Sequence, residues 1–390
     1  MAAIYVSHNG SDTSPYDTEA KATASLASAI SVASDRDIIW IKADDTYTIS
    51  SEIGLESGVA KSLTFKGYYQ NIGDQDYGGA YYQDLQHGRV NFSGTEGLVA
   101  FRIRTMIGDY EFHNLSVTGP RLISRDMDED ILGGSLPIQG TVSLYNCYLS
   151  TGSFYTAFQS ITGVILQNTI IVSEGLYPLM ITYDNAGGGE WNGFATIDRC
   201  RFIISSPTAY GTVYLSAAGM SAGRFYWQVS NCTIDDSAVS SSCERGISMG
   251  KGAATIDVCG KVFNNVIYGG SGKKITTGIY GYISILEVYN NIIYGAKAVT
   301  DLTSSAKNHI RNNCVYLYDT YNPGISDIDA DPQFTDPANG DFTPQNSDLI
   351  DGGFPILGVP TYIGAVPLVP KQTSTQQVFK PGSGTIVLGE

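Results

Sequence analysis

Through the middle of the chain, apolar and polar residues alternate in short runs, and each run ends at an Asn that is followed three positions later by another apolar residue. The copies are Glu111-Phe-His-Asn114-Leu-Ser-Val117, Ser143-Leu-Tyr-Asn146-Cys-Tyr-Leu149, Ile165-Leu-Gln-Asn168-Thr-Ile-Ile171 and Thr196-Ile-Asp-Arg199-Cys-Arg-Phe202. They continue with Gln228-Val-Ser-Asn231-Cys-Thr-Ile234, Lys261-Val-Phe-Asn264-Asn-Val-Ile267, Glu287-Val-Tyr-Asn290-Asn-Ile-Ile293 and His309-Ile-Arg-Asn312-Asn-Cys-Val315. A period of two is the signature of a half-buried strand. The column two before Asn (Phe112, Leu144, Leu166, Ile197, Val229, Val262, Val288, Ile310) is apolar throughout, so it points inward. The column three after Asn (Val117 to Val315) is apolar throughout as well.

Successive positions of the Asn column, Arg199 included, lie between 22 and 33 residues apart. That spacing is too short for a helix crossover at every step and too irregular for propeller blades. It suits a parallel β-solenoid with loops of varying length. Asn tolerates the left-handed conformation of a tight turn, and stacked amides can bond from coil to coil. A ladder of Asn114, Asn146, Asn168, Asn231, Asn264, Asn290 and Asn312 is therefore expected, interrupted at Arg199. Cys147, Cys200 and Cys232 share the next column and read as small residues near the core. A straight stack does not converge as zinc ligands do, so no metal site is read there.

Before the repeat, Lys21 to Ser34 is Ala-rich, with Leu26, Ala29, Ile30 and Ala33 at helical spacing, and Ile38 to Ile41 reads as the first buried strand. Residues 1–37 are thus expected to form a cap with an amphipathic helix, because an open solenoid end is an aggregating edge. Residues 38–366 are expected to form the solenoid, with loop excursions near 68–88 and 121–135. Residues 367–390 read as a C-terminal extension for attachment or oligomerisation, with Val378, Phe379, Ile386, Val387 and Leu388 as its apolar contacts.

Composition narrows the function. A net charge of −15 argues against nucleic-acid binding, which needs clustered Lys and Arg. No basic start and long apolar run marks a leader, and no run of about 20 apolar residues marks a membrane span. The six cysteines contain no C-x-x-C and read as buried free thiols.

The opening Tyr5-Val-Ser-His-Asn-Gly10-Ser-Asp12 comes before the Ala-rich helix and Ile38-Ile-Trp-Ile41. The chain closes with Asp329-Ala-Asp331-Pro-Gln-Phe334, Asn339-Gly-Asp341-Phe, Ser347-Asp-Leu-Ile-Asp351-Gly-Gly and Ile363-Gly-Ala365. Together these resemble the right-handed parallel β-helix, or pectin-lyase-like, proteins of bacteria and phages, over about residues 4 to 366. The resemblance implies an all-β fold, a right-handed parallel β-helix with a short N-terminal capping helix. It leaves function open, because that superfamily holds lyases, hydrolases, adhesins and phage spikes. Of the patterns of polygalacturonase-type hydrolases, Asn-Thr-Asp and Arg-Ile-Lys are absent, and Asp-Asp (Asp44-Asp45, Asp235-Asp236) and His-Gly (His87-Gly88) occur only as scattered dipeptides without them. The Asp-His and Arg-x-Pro-x-x-Arg patterns of pectate lyases are also absent.

On the outward columns, Lys261, Glu287, His309 and Arg311 form a polar cluster on three successive coils. A lyase could use such a cation to neutralise a uronate and His as base, although a surface ion-pair cluster is the commoner meaning. Tyr145, Phe263, Tyr289 and Asp198 are outward candidates for glycan or partner contact. The acidic loop Arg125 to Asp130 is a calcium candidate without the Gly and spacing of a calcium loop, so no cofactor is expected. Asp327, Asp329 and Asp331 read as structural, and His8 and His87 stand alone.

The expected function is a virion structural protein of a phage, either a head-decoration (cement or spike) protein or a tailspike-like one. It is expected to be a homotrimer that contacts other virion proteins such as the major capsid protein, possesses a surface for cell-surface glycans, and inserts in no membrane. The alternative is a polysaccharide lyase or glycan depolymerase, which would work outside the cell. The −15 charge disfavours an anionic substrate unless a local basic patch overrides it.

Overall fold

A computed structural model describes residues 2–43, 46–51, 53–55, 61–68, 90–94, 99–102, 108–119, 121–124, 138–151, 156–159, 161–175, 178–184, 190–208, 210–253, 255–302, 307–350, 352–356 and 359–365. Of the excursions expected near 68–88 and 121–135, Tyr68 ends the strand Leu63–Tyr68 and Arg121–Ser124 is itself a strand paired with Val99–Arg102. The remainder, the calcium candidate Arg125 to Asp130, His87 and the attachment residues Val378, Phe379, Ile386, Val387 and Leu388 lie outside the described residues.

The chain winds through three faces. One turn runs through Leu179–Asp184, Glu190–Asp198 and Arg201–Ile204, and the next begins at Val213–Gly219. Sheet A stacks eleven parallel strands from Ala3–Val6 to Lys307–Arg311, and sheet B stacks eleven from Tyr47–Ile49 to Ile328–Asp329. The third face holds a three-stranded sheet near the N-terminus and sheet C, six parallel strands from Thr156–Gln159 to Ala296–Leu302. This is a right-handed parallel β-helix with one short capping helix, as the resemblance implied. Ala3–Val6 is already a rung, in register with Asp37–Lys42 (Ala3↔Ile38 to Val6↔Ile41). The solenoid therefore begins inside the stretch that the sequence reading assigned to the cap.

The helix is shorter than the Ala-rich stretch and spans Leu26–Val32. Thr23 is held extended by Ser7 N–H donating to its carbonyl and by its own N–H donating to Tyr5. The helix can start only after that, where Ser25 Oγ accepts from Ser28 N–H at 3.2 Å. Leu26 and Ala29 face down onto the core.

The inward columns form that core. Leu144, Leu166, Ile197, Val229, Val262 and Val288 are fully buried, and the rings of Phe65 and Phe112 stack at 4.9 Å. Between sheets A and B the chain turns on one left-handed residue per coil. Its φ lies between 50° and 58° at Asn114, Asn146, Asn168, Asn231, Asn264, Asn290 and Asn312, and is 52° at Arg199. Asn146 Nδ2 donates to Asn114 Oδ1 (3.1 Å), Asn168 to Asn146 (3.3 Å) and Asn264 to Asn231 (3.3 Å). At the break, Asn231 Nδ2 donates instead to Asp198 Oδ1 at 2.8 Å.

A second ladder runs inside the first. The column that begins with Cys147, Cys200 and Cys232 continues through Asn265, Asn291 and Asn313 and ends at Asp327. Asn265 Nδ2 donates to Asn291 Oδ1 (2.9 Å), Asn291 to Asn313 (3.0 Å) and Asn313 to Asp327 Oδ1 (3.1 Å).

Beyond Cys314–Tyr316 the chain folds back over the outside. The hairpin of Phe334–Asp336 and Asp341–Pro344 lays Phe334 and Phe342 on Tyr268 and Tyr294. With Leu349 and Ile363 it covers Val266, Ile292 and Cys314, which makes a second apolar core on sheet B.

Candidate functional site

The outward face of sheet A carries the residues singled out from the sequence. Register pairs Lys261 with Glu287 and Glu287 with His309 on consecutive coils. Lys261 Nζ lies 3.3 Å from Glu287 Oε2, so the cation is already neutralised, and His309 is exposed one coil further on. Arg311 is drawn away from them. Its guanidinium carbon sits 3.7 Å from the Phe354 ring centroid and 5.9 Å from that of Tyr289. Arg311 is thus clamped under the returning C-terminal strand. Tyr289, outward by register, is only 8% exposed because Phe354 covers it edge-on (5.8 Å). It is not an open glycan contact, and no residue in its own repeat signals the cover.

Further along the same face, Tyr145 stacks on His113 at 4.7 Å, and His113 Nε2 lies 3.1 Å from Glu111 Oε2. Burial pushes the Tyr145 hydroxyl above its ordinary range. Asp198 is tied down: Oδ1 accepts from Ser230 Oγ (2.9 Å) and Asn231 Nδ2 (2.8 Å), and Oδ2 from Arg199 Nε (2.9 Å). Beside it is a cleft of about 220 Å³ lined by Gln167, Thr196, Asp198, Gln228, Ser230 and Phe263.

The outward face of sheet C holds a cluster that the sequence reading missed. Tyr214, Ser248 and Tyr280 stand in one row across three coils. Arg245 lies over Tyr280, its guanidinium carbon 3.8 Å from the ring centroid. Nη2 is held by Glu244 Oε1 at 2.8 Å, and Nη1 donates to Ser248 Oγ at 3.4 Å. Tyr210 and Tyr282 are exposed at the margins, and Tyr210 is 5.4 Å from Tyr214.

The register Cys243↔Ile275↔Ala296 brings two more cations to this corner. Lys274 Nζ donates to the Ser240 carbonyl (3.5 Å) and Lys297 Nζ to Ser242 Oγ (3.2 Å). Neither pairs with a carboxylate among the described residues, whereas neighbouring Lys273 pairs with Asp319. A chain of net charge −15 thus gathers three cations on one edge of sheet C. Among the described residues no group of three His, Cys, Asp or Glu is placed to hold a metal.

No protein-family model matches the chain, and no curated protein matches it. Among solved structures, pectate lyase Pel9A superposes with a TM-score of 0.50 at 15% identity, over 94% of this chain and 96% of that one. An alginate lyase from Paenibacillus sp. str. FPU-7 gives 0.49 at 12% identity, over 78% of this chain and 95% of that one. Identity this low speaks to architecture alone. By its fold, the chain is a right-handed parallel β-helix.

Proposed function

We propose that the chain binds and depolymerises an acidic polysaccharide by β-elimination on the outward face of sheet C. The observation that carries this reading is the Arg245, Lys274 and Lys297 corner on an otherwise acidic protein. A uronate polymer offers one carboxylate per sugar, and a guanidinium can pair with it through two parallel hydrogen bonds. Tyr214 and the exposed Tyr210 and Tyr282 add ring faces for the C–H side of the sugars.

Elimination removes the proton at C5, expels the glycosyl oxygen at C4 and leaves a C4–C5 double bond. Neutralising the adjacent carboxylate makes that proton more acidic, which is the role assigned to Arg245. The titratable groups that touch Arg245 are Glu244 and Tyr280. Glu244 is held in the ion pair, so Tyr280 is assigned both transfers: its oxygen takes the C5 proton as its own O–H proton passes to the departing C4 oxygen, and the phenol ends as it began. The solved pectate lyase of the same fold supplies a precedent for the substrate class. The sheet A cluster is the poorer candidate, because Phe354 covers Arg311 and Lys261 is paired with Glu287, whereas Arg245, itself paired with Glu244, has Lys274 and Lys297 nearby without a carboxylate partner among the described residues. No comparison supports the virion reading, and the C-terminal extension assigned to attachment lies outside the described residues.

The test is incubation with polygalacturonate and with alginate, following unsaturated products by near-ultraviolet absorbance. Arg245→Ala should lower the rate by about 10²–10³-fold, with Lys261→Ala and His309→Ala close to wild type. Loss in the sheet A variants alone would move the site to that face, and no unsaturated product from either polymer would overturn the reading.

A further inference from the structure

On sheet A, one outward column runs Tyr145, Gln167, Asp198, Ser230, Phe263, Tyr289 on successive coils. Phe263 and Tyr289 stack nearly parallel, with centroids 5.0 Å apart and planes 6° apart. That stack follows the solenoid axis, because neighbouring strands are about 4.8 Å apart. One face of the Phe263 ring is therefore covered by Tyr289. The other looks back along the column to Ser230, where a hydroxymethyl group stands in place of a ring. The ladder lacks a ring at that coil, and the gap is the cleft of about 220 Å³ described above.

The walls of the gap mix apolar Ile165 and Phe263 with polar groups, and the one carboxylate, Asp198, is paired with Arg199. Gln167, Thr196 and Gln228 line it, and the Gln228 amide donates to Ser230 Oγ at 3.1 Å. Asp198 Oδ1 accepts two hydrogen bonds, whereas Oδ2 accepts one, from Arg199, and retains a lone pair. The neighbouring cation Lys261 is paired with Glu287. An aromatic face, two amides, a hydroxyl and one carboxylate oxygen suit a polyol ring. The apolar C–H face of a sugar stacks on the ring, and its hydroxyls both donate and accept. A carboxylate in the floor discriminates against an anionic sugar.

We propose that this notch is a carbohydrate subsite, separate from the sheet C face, that seats one neutral hexose unit of a glycan against the open face of Phe263. Asp198 Oδ2 accepts from a sugar hydroxyl, and the amides of Gln167 and Gln228 fix the orientation. The subsite does not rest on cleavage at sheet C. A polymer bound here would be anchored by a second face of the solenoid.

The experiment is calorimetric titration of the whole chain with neutral oligosaccharides (cellohexaose, maltohexaose and a β-linked galactose tetramer), with trigalacturonate as the acidic comparison. At least one neutral probe should bind with a millimolar or tighter dissociation constant. Gln228→Ala and Phe263→Ala should each weaken it about tenfold, and Thr196→Tyr, which fills the notch from a half-buried position, should abolish it. Arg245→Ala should leave it unchanged, and trigalacturonate should not compete at this face. Absence of binding by every neutral probe would overturn the subsite. So would binding that survives both Thr196→Tyr and Gln228→Ala, or binding lost in Arg245→Ala alone. Those results leave the uronate assay on sheet C unaffected, so the two readings fail separately.

Discussion

Asn231 Nδ2 donates to Asp198 Oδ1 at 2.8 Å, passing over Arg199, the residue that occupies its own column one coil earlier. Arg199 keeps the left-handed turn (φ 52°) but brings no amide oxygen, and Asp198 supplies the missing acceptor from the adjacent position. The same carboxylate also receives Ser230 Oγ and Arg199 Nε. Asp198→Ala strips an acceptor from three donors at once, and buried donors left unpaired cost about 1–3 kcal/mol each. Allowing for partial rescue by water, the expected loss is about 3 kcal/mol, read as a lower urea midpoint at unchanged slope. Arg199→Asn should change stability by less than about 1 kcal/mol, because it restores the turn residue of the other coils.

The inner ladder yields a sharper expectation. Fully buried Asn291 donates to the Val262 and Tyr289 carbonyls and to Asn313 Oδ1, and accepts from Asn265 N–H and Nδ2. Asn291→Leu preserves volume but orphans groups on both neighbouring coils. The cost should reach about 3–5 kcal/mol. Exposed Lys261→Ala should stay within about 1 kcal/mol. Thermal unfolding of the two variants side by side checks the contrast.

Legibility from sequence followed distance along the chain from the turn residue. The inward columns and the Asn turns lie at fixed offsets from one φ-positive position, so period-two counting placed them. The inner ladder was half visible. Cys232 Sγ lies 3.6 Å from the Ile197 carbonyl, and Asn265 Nδ2 lies 2.9 Å from that of Val229, the equivalent carbonyl of the next coil. A thiol and an amide fill the same slot, and the Asn-Asn doublets were its continuation. The sheet C cluster was not legible, because loops of different length enter each of its strands. Ile204 leads to Val213, whereas Ser173 leads to Leu179, so no constant offset aligns Arg245 with Tyr280 and Tyr214. The cover on Tyr289 was hidden for a related reason: Phe354 arrives from the fold-back, outside the repeat.

Stability should depend on pH through Asp236. This carboxyl is fully buried, with Thr212 Oγ1 at 3.0 and 3.2 Å from its two oxygens. Burial pushes it up to about 7, the charge of Asp235 adds to the rise, and hydrogen bonds from Thr212 and Cys243 act the other way. In the unfolded chain it ionises near its ordinary value of about 3.9. Between roughly pH 4 and 7 the native state holds a proton that the unfolded state has lost, so stability falls as pH rises and levels off above about 7. About 3 units correspond to roughly 4 kcal/mol. Asp236→Asn should remove this slope, seen as urea midpoints at pH 5 and pH 8 that differ less in the variant than in wild type.

The C-terminal clasp should open as a unit. Phe354 covers Arg311 and Tyr289, and its backbone carbonyl accepts from Asn290 Nδ2 at 3.0 Å. Phe354→Ala removes a cation–π contact worth about 1–2 kcal/mol and an aromatic edge contact of about 1 kcal/mol. Amide exchange in residues 352–356 and 359–365 should quicken about 10²-fold, while exchange in sheet A strands far from the clasp should not change.

The six thiols should divide one against five. Cys147, Cys200, Cys232, Cys243 and Cys314 are buried and free, whereas Cys259 is half-buried on the outer face of sheet A, beside exposed Tyr226. Reagents attack the thiolate, and burial raises the cost of forming it. Burial pushes Cys243 and Cys314 up to about 12, so access and ionisation both protect them. The Cys259 thiol is also raised, first by burial and then by Asp257 and Glu287, with Lys261 acting the other way. It should therefore react slowly at neutral pH and faster as pH rises. An aromatic disulfide reagent should titrate one thiol per native chain and six in guanidinium, and Cys259→Ser should abolish the native reaction without moving the unfolding midpoint by more than about 1 kcal/mol. Rapid native reaction of a second thiol would mean that one of the inward cysteines is reached without global unfolding, and that the coils around it open locally.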